Sequence, residues 1–272
     1  MKDKVNKKAL AYWMGISRST LYYQPRQPDK DWKLKIRIEE ALHYHPSYGH
    51  KRLAIHLKRN KKAVLRVMQE YGLKPYRRRK KPRFKFKRED LNDIYPNLIM
   101  NVIPQGKSHI WASDFTYLPF KGKFIYLATI IDIFTREIVG YNVSTTHNAQ
   151  LVMNALLHAV SNHSLPVILH SDQGREYTCK DYLNLVKSLG IKTSLSAKGC
   201  PWENGYQEAF YSQFKIDLGY TNQYDNLGEL VYNICQTIYN YNNSRIHSEL
   251  KMPPAIYAKR IQIQRSGFVT CV

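Results

Sequence analysis

Long apolar runs are missing from this chain of 272 residues, and so is any cysteine framework. The most hydrophobic stretch, YLATIIDIF, is short and interrupted by Asp132, far from the roughly 18 apolar residues of a membrane span, so no membrane partner is expected. The four cysteines, Cys179, Cys200, Cys235 and Cys271, form no C-x-x-C pair. That excludes a disulfide scaffold and suits reduced thiols in the cytoplasm. The first residues, MKDKVNKKAL, carry charge without an apolar segment behind them, so no secretory signal is expected. Acidic residues are also scarce, 21 against 42 Lys and Arg. Hydrophobic residues still make up 43%, enough for a real core and too many for a disordered chain.

The scarcity of acid is uneven. Residues 1–98 hold 27 basic and 9 acidic residues, whereas residues 99–272 hold 15 and 12. Charge confined to one half of a chain points to a polyanion, and nucleic acid is the expected partner.

Five segments are expected: a helix-turn-helix over 1–28, a second helical DNA-binding unit over 29–75, a basic linker over 76–100, an α/β core over 101–225 and a helical extension over 226–272. In KKALAYWMGISRSTLYY, Leu10, Trp13, Met14 and Leu21 are expected to face inward, with Gly15 at the turn. Ser17 would cap the second helix and leave Arg18 and Ser19 to meet DNA; a small packing unit without DNA contact is the alternative. The stretches DWKLKIRIEEALHYH, SYGHKRLAIHLKR and KAVLRVMQEYGL repeat the helical apolar spacing with basic outer faces, among them Lys51 and Arg52. His43, His45, His50 and His56 have no paired cysteines beside them and read as surface or packing residues rather than a zinc site. KPYRRRKKPRFKFKR holds ten Lys or Arg in fifteen positions, including Arg77, Arg78, Arg79, Lys80 and Lys81. It reads as a phosphate-tracking arm in which Tyr76, Phe84 and Phe86 stack, or else as a solvated linker.

The second half changes character. Three strands in a meander precede helix, strand, helix, strand and helix, which predicts a mixed sheet flanked by helices. Three carboxylates stand out. Asp114 lies in the first strand of the meander, Asp172 ends the fourth strand in VILHSD, and Glu208 lies in the helix YQEAFYSQFKIDLGY. Phe210, Phe214 and Leu218 mark that helix's buried face. Any one acid alone is more often a solvated or capping residue than a ligand. Brought together, the three would repel and raise one another's pKa unless divalent cations sat among them. Two Mg²⁺ ions about 3.5–4 Å apart could activate a nucleophile and stabilise the leaving oxygen of a phosphodiester. Lys215, farther along the helix, could hold the DNA backbone there.

The segments HSDQGREYT, SLSAKGCPWENGYQEAFYSQFK and YNNSRIHSEL followed by PPAIY resemble the OrfB-type transposases of insertion-sequence family three. ISRSTLYY, HPSYGHKRL and VLRVMQEYGL resemble the same family's N-terminal portion, so the likeness spans nearly the whole chain. It implies an RNase H-like catalytic core similar to retroviral integrases, with Asp114, Asp172 and Glu208 as the metal-binding catalytic triad. It further implies Mg²⁺ with Mn²⁺ as a possible substitute, double-stranded DNA as element end and target, at least a dimer, and a bacterial, nucleoid-associated location. An upstream reading frame could add a partner or fusion.

The sequence departs from the family at Glu203, where an Asp is usual; it reads as a cap for the helix bearing Glu208 rather than as the third ligand. Asp132 and Arg136 read as a structural pair. His170 reads as a strand-end histidine bonded to backbone, with assistance to catalysis as the alternative. Lys198 in the loop before Glu208 and Arg245 in NNSRIHSEL are candidate DNA contacts, with His247 near the site. Trp111 and Trp202 read as packing residues, Trp202 alternatively as a contact to a DNA end. Two rivals remain at this point: a metal-dependent nuclease without joining activity, and a DNA-binding regulator with an inert core.

Overall fold

The structure is a computed structural model and describes residues 7–22, 27–76, 94–198 and 200–267. It begins with a short helix, α1 (Lys7–Trp13), a turn at Gly15 with φ +65°, and a 3-10 turn over Arg18–Tyr22. Ser17 Oγ accepts the Thr20 N–H at 3.3 Å, as a cap does. The expected inward face is not there: Trp13 is 85% exposed and Met14 52%, while Ala11 is buried. Seven residues are too few to sustain a helix without a packing partner, and a five-residue 3-10 turn is not a recognition helix. The side chain of Leu21 lies outside the described set.

Three helices follow: α2 (Gln27–Tyr44), α3 (His50–His56) and α4 (Lys61–Glu70). Pro28 is accepted in the first turn of α2, where its missing N–H would have had no helical partner. Asn60 caps α4 by accepting the Lys62 N–H at 2.8 Å. Ile38, Tyr48, Leu53, Val64 and Val67 bury completely between the three, and Ile246 joins them from the far end of the chain. His45 stacks on Tyr48 at 4.4 Å and meets His56 edge-on, so these histidines pack.

The second half forms the expected mixed sheet. Strands β1 (Ile110–Phe120) and β2 (Lys123–Asp132) turn through Lys121 and Gly122, both at positive φ, which suits a two-residue hairpin. Then come β3 (Ile138–Ser144), α5 (Ala149–Asn162), β4 (Ile168–Ser171), α6 (Arg175–Thr178), α7 (Lys180–Ser188) and β5 (Lys192–Leu195). A 3-10 turn, Pro201–Asn204, leads into α8 (Gly205–Leu218), followed by α9 (Leu227–Asn243) and α10 (Pro254–Gly267). The order is β3-β2-β1-β4-β5, with β1, β2 and β3 antiparallel and β4 and β5 parallel to β1.

Alternation along the strands sends Ile110, Ala112 and Leu118 toward α8 and α9, and Trp111, Ala128 and Ile130 toward α5, α6 and α7. Leu230, Ile234 and Ile238 of α9 and the preceding segment's Leu98 and Ile99 enter the first of these cores, so the layer reaches beyond residues 101–225 on both sides.

The helical unit is fixed to the sheet layer by a buried polar seam. Arg245 pairs with Asp217 at 2.6 Å and donates at 2.8 Å to both Ser47 Oγ and Gln213 Oε1. Tyr48 Oη accepts the Ile246 N–H at 2.8 Å. Arg245 is therefore committed inside the protein, which overturns its reading as a DNA contact.

Gly140 sets how closely β3 and α5 approach, because a Cβ there would lie 2.6 Å from the Ala159 Cβ. Gly140→Ala is expected to cost about 1–3 kcal/mol through overpacking, lowering the thermal midpoint by several degrees in a circular dichroism melt. Gly205→Ala, with open space around it, is expected to leave the midpoint unchanged or raise it.

Candidate active site

Two strands and one helix bring the expected carboxylates to one face. Ala112 of β1 lies opposite His170 of β4 in the parallel register. Asp114 lies two residues beyond Ala112 in β1, and Asp172 two beyond His170, just past the end of β4 and close enough for its charge to act on Asp114. Both carry the parity of Ile110 and Ala112, so both face the α8 side of the sheet. β4 ends at Ser171, and Asp172 Oδ1 accepts the Gly174 N–H at 2.9 Å, which turns the chain away. A Cβ at Gly174 would sit 3.0 Å from that oxygen and 3.1 Å from Glu176 Oε2, hence the glycine.

α8 lies along β1 and is tied to its carbonyl oxygens. Asn204 donates to Ser113 O at 3.2 Å, and Gln207 Nε2 to Ala112 O at 2.6 Å and Thr129 O at 3.0 Å. Tyr211 Oη donates to Asp114 O at 2.7 Å, and Lys215 Nζ to Tyr117 O at 3.1 Å. Glu208 is four residues beyond Asn204 and three before Tyr211, on the same helical stripe, and its charge reaches the Asp114 carboxyl. Phe210, Phe214 and Leu218 bury beneath, as the spacing predicts.

The electrostatics agree with this crowding. Burial, then the neighbouring charge of Asp172 and, more weakly, Glu208, push the Asp114 carboxyl up to about 8, against the Phe115 N–H and the Lys215 ammonium. Burial also raises Asp172, with Glu176 adding to it and the Gly174 N–H opposing. Neither Asp114 nor Asp172 takes part in an ion pair among the described residues. Among those residues no three His, Cys, Asp or Glu side chains close on one point tightly enough to hold an ion as they stand. Half-buried carboxylates such as those of Asp114 and Asp172, outside any ion pair among the described residues, are the donor chemistry a hard divalent ion takes.

Other expected residues fall variously. Glu203 does not cap α8; its Oε2 accepts from Ala197 N at 2.7 Å and Asn97 Nδ2 at 2.6 Å, latching the loop before the helix. Asp132 is structural, but its carboxylate takes the N–H groups of Ser108, Phe134 and Thr135, while the Arg136 guanidinium pairs with Glu249 at 2.9 Å. His170 is fully buried and bonds the Ser194 hydroxyl at 2.9 Å rather than backbone, and burial pushes it down to about 4. Trp111 packs in the core, whereas Trp202 is 65% exposed beside α8. Arg18, Ser19 and Lys51 are exposed and Lys198 half-exposed. Arg77, Arg78, Arg79, Lys80 and Lys81 lie outside the described residues.

Gln207, Tyr211 and Asn204 were not foreseen. Their signal was available: Gln207 lies three and seven residues before Phe210 and Phe214, on the buried stripe of the helix, where a polar group needs a partner.

Two family models, both described as Integrase core domain, match residues 104–201 and 189–254. InsK of insertion sequence element IS150 from Escherichia coli strain K12 is 33% identical over 264 residues, 92% of each chain. The transposase of insertion sequence element IS904 from Lactococcus lactis is 33% identical over 230 residues, 80% of this chain and 89% of its own. The chain belongs to the OrfB-type transposases of insertion-sequence family three.

The transposase is a polynucleotidyl transferase on an RNase H-like core, and two-metal chemistry is general to that fold. Its fold matches the HTLV-2 integrase catalytic core in complex with magnesium, with a TM-score of 0.50 and 19% identity over 57% of this chain and 99% of that one. It also matches the simian T-cell lymphotropic virus intasome with a PP2A regulatory subunit, with a TM-score of 0.53 and 17% identity over 82% of this chain and 74% of that one.

The Asp114 carboxyl gives a sign for pH. Its folded pKa is raised, so the folded protein holds a proton that the unfolded chain has released, and stability falls from about pH 4 up to about pH 8. Asp114→Asn is expected to stabilise the metal-free transposase at pH 8 by about 1 kcal/mol or more, seen as a higher melting temperature, and to make no difference near pH 4. A flat difference across that range in a pH series of melts would contradict it.

Proposed function

We propose that Asp114, Asp172 and Glu208 are the triad that binds the catalytic metal, two Mg²⁺ per site with Mn²⁺ as a substitute. The observation that carries this is the convergence of three carboxylates on the α8 face of the sheet at its two central strands β1 and β4, with the Asp114 carboxyl charged only at an energetic cost. Bound divalent cations would supply positive charge at a phosphodiester and lower the barrier to attack by a water or a hydroxyl. The magnesium in the similar HTLV-2 integrase core supports that choice of metal.

The protein's own share is positional. Two strands fix Asp114 and Asp172, and the bonds of Gln207 and Tyr211 fix the helix that carries Glu208. Lys215 lies beside the site with its ammonium on the Tyr117 carbonyl, near enough to favour a charged Asp114 and to meet an approaching phosphate. Trp202 offers an exposed ring for a terminal base. Double-stranded DNA would reach the site along Arg18, Ser19, Lys51, Arg52 and Lys198, with the basic segment from Arg77 to Lys81 following its phosphates. The enzyme would hydrolyse one strand at the element end and release a 3′-hydroxyl. That hydroxyl would attack a second phosphodiester, displacing the alkoxide leaving group, with no covalent protein intermediate. Handling two ends in concert requires at least a dimer, since the described residues of one chain hold one such triad, and a longer product of an upstream frame could be the active form.

A labelled element-end duplex with Mg²⁺ tests the reading. The parent is expected to give cleaved and joined products. Asp172→Asn and Glu208→Gln each remove several kcal/mol of charge stabilisation and are expected to lower both products about 10³-fold. Strand transfer retained by both variants would overturn the assignment. Cleavage without joining by the parent would make the protein a nuclease, and end binding with no product in Mg²⁺ or Mn²⁺ would make it a regulator.

A further inference from the structure

A cavity of about 360 Å³ opens between α3, α8 and the loop after α9, lined among others by Arg52, Arg136, Tyr206, Ser212, Arg245 and His247. The three arginines come from separate parts of the chain, so the cluster is built by the fold. Their commitments differ. Arg245 is spent on Asp217, Ser47 and Gln213. Arg136 gives one nitrogen, Nη2, to Glu249 and lies over the Tyr206 ring at 4.2 Å. Its Nε and Nη1 are buried without a hydrogen-bond partner. Arg52 has no carboxylate partner among the described residues; it reaches Gln213 Oε1 at 3.5 Å and lies over the Tyr48 ring. His247 Nδ1 is a third buried nitrogen without a partner.

Buried donors of this kind cost stability unless something accepts from them. Glu249 cannot neutralise the set, since it is 68% exposed and screened by water. The backbone adds a second sign. Arg136 sits at φ +61°, a conformation an arginine adopts at a cost, and is held there by Asp132, which gathers the Phe134 and Thr135 N–H groups, and by Tyr241 Oη on the Arg136 carbonyl. The turn that Asp132 builds delivers a guanidinium to this cavity.

The electrostatics point the same way. Burial, then the like charge of Arg245, lowers Arg52. Burial and the charge of Arg136, with smaller shares from Arg245 and Arg52, push His247 down to about 4, so its ring is neutral and Nδ1 can present an N–H. The only carboxylate among the lining residues, Glu249, takes Arg136 Nη2 alone, so the cavity keeps an excess of guanidinium charge that an anion would balance.

We propose that this cavity is a phosphate site, filled by a backbone phosphate of the DNA that the transposase acts on, with Arg136 and Arg52 as the charged donors and His247 Nδ1 as the neutral one. Nε and Nη1 lie on different edges of the Arg136 guanidinium, so each offers an anion a single charge-assisted hydrogen bond. Ser212, which lines the cavity, lies one helical turn beyond Glu208 on α8, so a strand seated here would run directly toward the carboxylates. The identity of the phosphate as DNA rests on the transposase reading; the cavity's affinity for an anion does not.

The test uses the full chain in EDTA, where no chemistry occurs, and follows anisotropy of a labelled element-end duplex over a range of salt. Arg52→Gln and Arg136→Gln are each expected to weaken binding about 10-fold and to reduce the slope of log K against log salt by about 1, whereas Lys123→Gln, at the exposed start of β2 away from the cavity, changes neither. Ser212→Asp, which adds negative charge at the rim without disturbing an ion pair, is expected to act in the same direction and covers the case in which an arginine variant melts below the parent. Inorganic phosphate titrated calorimetrically gives the other arm. Loss of phosphate binding in the variants with an unchanged DNA slope would place a free phosphate, not DNA, in the cavity and overturn the assignment to DNA. Unchanged slopes together with unchanged phosphate binding would overturn the site itself. Because no cleavage is read, a wrong triad leaves these results untouched.

Discussion

One buried amide holds the catalytic face together. Gln207, fully enclosed, donates to carbonyl oxygens of two adjacent strands, Ala112 O and Thr129 O, and accepts from the Thr129 hydroxyl at 2.9 Å. Tyr211 repeats the device one turn on, donating to Asp114 O, with its hydroxyl oxygen 2.8 Å from that of the same threonine. A fully satisfied network in a dry interior is rigid, and a half-satisfied one is costly. The distance from Glu208 to Asp114 is thus set by groups that carry no charge. This is a sensible division, because three carboxylates cannot fix their own spacing; left to themselves they separate.

The same helix faces two ways. Its inner stripe grips β1, and its outer side, through Gln213 and Ser212, meets α3 and the loop after α9. The Arg245–Asp217 pair closes that outer seam in a nearly dry place, where removing either partner strands a charge. The helical unit and the catalytic layer are therefore joined through the element that carries the third carboxylate. Whatever the helical unit binds is registered against Glu208 through a short, stiff path.

How much of this was legible before the structure depends on range. Strand alternation and the Phe210–Phe214–Leu218 stripe are local, and from them the mixed sheet, the flanking helices and the placement of Asp114, Asp172 and Glu208 could be read. Arg245 misled because its partners, Asp217 and Ser47, stand 28 and 198 residues away, and no spacing rule connects them. An arginine without a visible partner reads as surface by default. The first helix-turn-helix misled for the opposite reason: its apolar spacing was genuine, but a periodic pattern predicts a face and not the element that would cover it. Asp132 was recognised as structural, yet what it builds, a turn that carries Arg136 into a cavity, shows only in three dimensions.

The central claim is that the carboxylates of Asp114, Asp172 and Glu208 share divalent cations. Anomalous diffraction from crystals of the transposase soaked in Mn²⁺ tests it most directly. The account predicts peaks about 2.0–2.3 Å from carboxylate oxygens of Asp114 and Asp172, with Glu208 drawn in to complete the site. Manganese bound elsewhere, or held by Asp172 and Glu176 with Asp114 left aside, would contradict it.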